Sequence, residues 1–377
     1  MKTSTSKRLR WNVAIWLAAG LFMTSTAGMA SGPILPDPKA EARHHPQIEE
    51  TANGIPLVNI TAPSSGGVSR NEYEMFNVPD KGAILNNSYT LSKTELAGYV
   101  PGNNNMAERP AKIIVNEVTG TGSTSMDGFL EVAGNRADVV IANPNGITVN
   151  GGGFINTGKA FLTTGKPVYD GEDHLQRFDI TGGDILIEGK GLGGKETESL
   201  AILSRAVKIN AGIWAEDLHI TTGANTVDAK TLEASAIEGK GGRPAFALDT
   251  AAIGGMYAGR ITLVATEKGL GVNNSGTWSA EDNLTLDWNG DLKNSGTIYS
   301  KGNTDLRASR LENDKTIAAE RNLSAAAKEN IRNQGKLLAG ENMGIYAGKT
   351  LDNAGHAMES GNNLSIDCLL YTSDAAD

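Results

Sequence analysis

Cysteine is nearly absent: Cys368 is the one thiol in 377 residues. The chain can form no internal disulfide, no thiolate-held metal centre and, before its last ten residues, no cysteine nucleophile. A chain free of cross-links also suits a route that passes it unfolded. Aromatics make up 5% of the residues, and 12 prolines stand against 46 glycines. That balance favours many short strands and turns over helical bundles. Basic excess is missing too. There are 34 Lys and Arg against 43 Asp and Glu, a net charge of −9, and no basic block follows the first ten residues. Nucleic-acid binding needs a clustered basic face and is excluded as an expectation. The signatures of common catalysts are lacking: no G-x-S-x-G, no H-E-x-x-H, no EF-hand loop and no calcium-binding nonapeptide. The histidines are His44, His45, His174, His219 and His356, none in a recognisable triad. His44-His45 reads as a solvated pair. No metal site and no cofactor are expected.

One long apolar run exists, WNVAIWLAAGLFM at residues 11–23. It follows Lys2, Lys7, Arg8 and Arg10 and precedes Gly28-Met29-Ala30, whose small residues suit signal-peptidase cleavage after Ala30. The run is short of the roughly 20 residues that span a bilayer. Residues 1–30 read as a secretory signal, and the proline-rich residues 31–52 as a linker or mature N-terminal arm.

From Val272 onward the chain repeats. Val272, Leu292, Leu311, Ile331 and Leu351 open successive segments, spaced 20, 19, 20 and 20 residues apart. Asn274, Asn294, Asn313, Asn333 and Asn353 keep the same register, as do Asn283, Asn303, Asn322, Asn342 and, one residue late, Asn363. A period near 20 marks a solenoid. Leucine-rich repeats want more leucines than these segments hold. A parallel β-helix fits: three short strands per coil, stacked at about 4.8 Å, with apolar positions in the bore. The asparagines then form a ladder at one corner, a structural role. Gly276, Gly296, Gly335 and Gly355 are expected to supply a special backbone angle beside that corner, with Lys315 as the exception. Residues 53–271 read as an irregular, capped β-helix with extra-helical strands, and residues 272–366 as a regular stem. A cap is needed because a first coil otherwise exposes a sheet edge. INAGIWAEDLHI (209–220) looks like a degenerate copy of NSGTWSAEDNLTL. The tail from residue 367, with CLLYTSDAAD, breaks the pattern and reads as non-native or frame-shifted sequence on a longer natural protein.

Gly189, Gly191 and Gly194 match G-x-G-x-x-G. A dinucleotide site needs a βαβ unit, and residues 196–207 would have to be its helix. The solenoid reading competes with this and is preferred. Residues 139–160, VVIANPNGITVNGGGFINTGKA, hold a strand, a turn and a second strand. Pro144 presets the first corner, and Asn145 and Gly146 are expected to take left-handed angles.

These blocks resemble the N-terminal secretion domain of two-partner-secretion exoproteins, the filamentous-haemagglutinin and contact-dependent-inhibition group. The matching stretches include NGIPLVNITAPSSGGVSRNEYEMFNV (53–78), AKIIVNEVTG (111–120), EVAGNRADVVIANPNGITVNGGGFINT (131–157) and IGGMYAGRITLVATEKGLGVNNSG (253–276). The resemblance spans about residues 53–366. It implies export through the inner membrane and recognition by a cognate outer-membrane β-barrel transporter with periplasmic recognition domains. It further implies folding outside as a right-handed parallel β-helix. Of the group's two hallmark turns, Asn143-Pro144-Asn145-Gly146-Ile147 matches the second in full. The first departs at Asn103-Asn104-Asn105-Met106, where the missing proline predicts a looser turn. The Asn143–Ile147 turn, with Asn116 and Glu117 on the IVNEVTG strand, is the expected secretion motif. The function implied is a secreted or surface adhesin with a receptor on host or neighbouring cells. The alternatives are a contact-dependent inhibitor whose toxin domain lies beyond this chain and, third, a β-helix carbohydrate-active enzyme.

Overall fold

The computed structural model describes residues 32–106, 109–353 and 357–372. The signal segment and Gly355 lie outside them. Among the described residues there is no α-helix, only strands, turns and two single 3₁₀ turns at Ala42–His44 and Asn104–Met106. The chain is a parallel β-helix. Each coil contributes three strands, and each strand pairs in parallel with its counterpart one coil on. Thr277–Ala280, Thr297–Ser300, Thr316–Ala319 and Lys336–Ala339 form one face. Leu284–Trp288, Thr304–Ala308, Leu323–Ala327 and Met343–Asp352 form the second. Gly271–Asn274, Leu292–Asn294, Leu311–Asn313 and Ile331–Asn333 form the third. The 19-residue spacing arises between Arg307 and Leu311, in the turn joining the second face to the third.

Alternation along each strand fills the bore. Trp278, Ile298, Ile317 and Leu337 stack in register and are fully buried. Both buried indoles find acceptors: Trp278 Nε1 donates to Thr250 Oγ1 at 3.0 Å and Trp288 Nε1 to the Leu270 carbonyl at 2.8 Å. At the corner, Asn274 Nδ2 donates to Asn294 Oδ1 (2.8 Å), Asn294 to Asn313 (2.8 Å), Asn313 to Asn333 (2.7 Å) and Asn333 to Asn353 (2.6 Å). The second series runs the opposite way and sits nearer solvent, with Asn322, Asn342 and Asn363 each donating to the asparagine one coil earlier.

The N-terminal end is closed by antiparallel strands. Ile34–Pro36 pairs with Val68–Phe76, and Gln47–Glu50 pairs with Pro56–Asn59, which starts the parallel stack on Ala83–Asn87. Among the described residues, two elements lie outside the helix. One is the hairpin Ser92–Thr94 with Gly98–Val100. The other is a four-stranded antiparallel sheet of Lys166–Tyr169, Leu175–Ile180, Asn225–Asp228 and Ala234–Ala236. Its Phe178, Ile180 and Val227 pack on outward-facing Val140, Phe161, Ala201 and Leu203 of the helix.

Several expectations need correction. Residues 196–207 hold the strands Ser199–Ser204 and, from Ala206, Ala206–Ile209, so the G-x-G-x-x-G stretch lacks the helix a pyrophosphate site requires. Gly276, Gly296 and Gly335 do not have left-handed φ. They are small because the coils touch there: a Cβ would lie 2.1, 2.1 and 2.0 Å from the carbonyl oxygen one coil earlier. The segment 209–220 is offset by one residue from the stem repeat. Ile213, not Trp214, continues the Trp278 column through Met256, and a one-residue slip turns the indole outward. His44 is not solvated; it is buried against Glu72. The tail does not end the coil at Ile366, since Leu364–Thr372 stays parallel to Met343–Asp352.

Candidate functional site

The strand Ala137–Ala142 delivers the chain to the turn, and Ile147–Val149 carries it away. The Gly146 N–H donates to the Asn143 carbonyl at 3.1 Å, closing a β-turn with Pro144 at its first corner. Gly146 has φ +114°, but Asn145 does not have a positive φ, contrary to expectation. A side-chain bond replaces that angle. The Asn145 N–H and Asn145 Nδ2 both donate to Asn143 Oδ1 at 2.9 Å. Asn143 itself is fully buried. Its Nδ2 donates to the Gly122 carbonyl (2.9 Å) and to Thr124 Oγ1 (3.0 Å), one coil earlier. Asn145 Nδ2 also reaches the Gly120 carbonyl at 2.9 Å. Pro144 and Asn145 are exposed, while Gly146 and Ile147 are buried.

The other expected residues lie beside this turn. The strand Ile113–Val118 pairs with Ala137–Ala142, placing Asn116 opposite Ile141 and Glu117 opposite Ala142. Asn116 is buried. Its Nδ2 donates to the Val140 carbonyl (3.2 Å), and its Oδ1 accepts from the Tyr73 hydroxyl (3.0 Å). Glu117 is buried as well, and desolvation pushes its carboxyl above the usual range, opposed by Arg70 at 3.4 Å. Arg70 also holds Glu72 at 2.7 Å and lies 4.5 Å over the Tyr169 ring, tying the extra sheet to the cap. The strand and the turn therefore form one unit, in which the exposed groups are few.

The Asn103 turn repeats the plan without proline. Asn103 is buried, its Nδ2 donates to the carbonyls of Ile60 and Asn86 at 2.9 Å each, and its Oδ1 accepts from the Asn105 N–H at 3.0 Å. The Met106 N–H donates to the Asn103 carbonyl at 3.1 Å. Asn104 is the exposed tip, and Met106 is buried. The looser turn expected from the missing proline is not found, because the asparagine bonds fix it. The two turns are anchored to different coils. The sequence reading missed Thr124, Gly120 and Gly122 as anchors; the shared Asn-x-Asn pattern, with its side-chain acceptor two residues before a backbone donor, was the available signal.

A parallel β-helix with a cap, an Asn-laddered stem and these turns defines a class of capped solenoid proteins. A family model described as TPS secretion domain matches residues 33–299, and one described as haemagglutinin repeat matches residues 299–368. The chain belongs to the TPS secretion-domain family. The family's members are secreted exoproteins displayed at the cell surface. It is 41% identical over 298 residues to the Toxin CdiA of Yersinia pestis, covering 73% of this chain and 9% of the relative. It is 39% identical over 343 residues to the 16S rRNA endonuclease CdiA of Enterobacter cloacae subsp. cloacae, covering 90% and 10%. Against the tRNA nuclease CdiA of Escherichia coli strain NC101 it is 42% identical over 262 residues, covering 68% and 8%. The chain thus spans a tenth or less of these curated relatives. The crystal structure of the filamentous hemagglutinin secretion domain superposes with a TM-score of 0.65 at 27% identity, covering 88% of this chain and 99% of that one.

Proposed function

We propose that this chain is the export-directing start of a two-partner exoprotein, with residues 53–271 as the secretion domain and 272–366 as the first part of a surface shaft. Its partner is a cognate outer-membrane β-barrel transporter with periplasmic recognition domains. The observation that carries this is the fusion of the Asn143–Ile147 turn with the Ile113–Val118 strand inside a capped β-helix of the TPS family. In this reading Pro144 and Asn145 present the contact surface, while Asn143, Asn116 and Glu117 hold it in place. The chain itself performs no catalysis.

For the whole protein, the curated relatives favour contact-dependent inhibition, with a toxic activity carried beyond this region. The likeness to the filamentous hemagglutinin secretion domain favours the adhesin reading, with a receptor on host or neighbouring cells. Coexpression with the transporter tests the shared part. Release into the medium only when the transporter is present, with a mature N-terminus at Ser31, is expected. Transporter-independent release refutes it. Coculture of cells carrying the full reading frame with a competitor separates the two whole-protein readings. Contact-dependent loss of competitor viability marks an inhibitor, and attachment without killing marks an adhesin.

A further inference from the structure

The outward slip at Trp214 leaves an aromatic strip that no core uses. Register places Trp214, Tyr257, Ser279 and Tyr299 side by side on four successive coils of one face. Trp214 is 37% and Tyr257 38% exposed. Their rings are 6.2 Å apart and within 16° of parallel. Each folds back over a glycine of its own strand. A Cβ at Gly212 would lie 2.5 Å from Trp214 Cη2, and one at Gly255 would lie 2.8 Å from Tyr257 Cε2. Glycine weakens a strand interior, so both seats cost local stability in exchange for room beneath a ring. Beside the rings is a cleft of about 490 Å³ lined by Lys195, Glu216, Ser279 and Glu281.

We infer that this strip binds an extended, uncharged glycan laid along the solenoid axis. The rings take the apolar C–H faces of consecutive sugars, and Lys195, Glu216 and Ser279 exchange hydrogen bonds with their hydroxyls. A near-parallel, half-exposed aromatic pair with a polar margin suits a ligand that has both kinds of surface. Coils rise by about 4.8 Å, close to the advance of one pyranose in an extended chain. The acidic margin and the net charge of −9 oppose phosphate-rich or sulfated polymers. The inference deepens the surface-adhesin reading and rests on this face being displayed outside the cell.

Chitohexaose and cellohexaose are the probes, titrated into the purified full chain by calorimetry and by tryptophan fluorescence. The chain is used from Ser31, which removes Trp11 and Trp16; Trp278 and Trp288 are buried, so a spectral change reports Trp214. Saturable binding of either sugar is expected, weakened at least tenfold by Trp214→Ala and by Tyr257→Ala. Tyr257→Phe keeps the ring and is expected to bind within threefold of the unaltered chain, as is Tyr346→Ala on another face. No saturable binding, binding indifferent to both alanine variants, or a Tyr257→Phe loss equal to that of Tyr257→Ala overturns the inference. So does self-association in light scattering that Trp214→Ala abolishes, since the strip is then an interface between copies. Secretion of the same variants is measured in parallel. Normal export with lost sugar binding is the expected pattern, whereas transporter-independent release refutes the export reading and leaves the sugar result standing.

Discussion

Asn143 and Asn145 sit two residues apart, yet their replacement is expected to act through different physics. Asn143→Ala removes four hydrogen bonds: two accepted by Oδ1 and two donated by Nδ2. Not all count equally. Gly122 is exposed, so water can replace the lost donor at its carbonyl, and Asn145 Nδ2 is open to solvent. Thr124 is buried, and the Asn145 N–H is partly so. Two bonds without a water substitute, at about 1 kcal/mol each, give a loss of roughly 2 kcal/mol. Asn145→Ala removes two exposed bonds and a part-buried one to Asn143 Oδ1, an acceptor that keeps the backbone N–H of residue 145, and Pro144→Ala removes none; each is expected to cost under about 1 kcal/mol. The assay pairs urea denaturation of the purified chain with secretion through the cognate transporter. If the turn is a recognition surface, Pro144→Ala and Asn145→Ala lower secretion at nearly unchanged urea midpoints. Secretion that follows stability alone, with Asn143→Ala impaired and the two tip variants normal, refutes the recognition role and leaves the turn as a shape-holding corner.

In the stem, Gly335→Ala places a Cβ 2.0 Å from the Lys315 carbonyl oxygen and is expected to cost about 2–3 kcal/mol, whereas Gly344→Ala meets open space and is neutral or stabilising; equal thermal midpoints for the two variants contradict the contact argument. Asn313→Ala cuts the buried ladder at Asn294, Asn333 and the Lys336 carbonyl, with an expected loss of about 2–4 kcal/mol by urea titration, against at most about 1 kcal/mol for Asn342→Ala on the solvated ladder. Burial lowers the His219 pKa from 6.5 to about 4. The unfolded chain therefore binds a proton that the folded chain refuses, and stability falls as pH drops from 6.5 towards 4, by about 3 kcal/mol in all at 1.4 kcal/mol per unit. His219→Gln is expected to flatten the urea midpoint between pH 6.5 and 5, above the range where ordinary carboxylates titrate; an unchanged slope contradicts the assignment.

The stem was legible because one coil predicts the next. A 20-residue period, two asparagine registers and an apolar column carry the same information five times, and the structure uses each as a contact between coils. The cap offered no such repetition. Its antiparallel strands Ile34–Pro36 and Gln47–Glu50 fall in the segment read as a linker or arm, and their partners are identified only by tertiary packing. The four-stranded outer sheet draws on residues 166–180 and 225–236, separated by several strands of the helix, a pairing that no local pattern encodes. His44 shows the same limit, since the carboxylate it meets, Glu72, lies on a distant strand and is itself held by Arg70. At Trp214 the local string was readable but its register was not. The step from Ile213 to Leu218 is one residue shorter than that from Trp278 to Leu284, and one residue decides which side chain faces the bore.

That asymmetry between cap and stem bears on how such a chain is built after export. A coil of the stem pairs its strands only with the adjoining coils, so its ladder hydrogen bonds and its share of the bore form as soon as one coil is in place beneath it. The costly event is the first coil, which must gather strands distant in sequence and close the edge at its own end. Here the first coil is held by the antiparallel strands and by Asn103, which bridges Ile60 and Asn86, while Asn143 ties the third coil to Thr124 of the second. The asparagine turns thus stand in the first three coils, where nucleation is slowest. A folding-rate comparison makes the argument concrete. Asn143→Ala should slow refolding by most of its equilibrium loss, while Asn313→Ala should mainly speed unfolding. Refolding slowed more by Asn313→Ala than by Asn143→Ala would place the nucleus in the stem and remove the reason for the cap to lead.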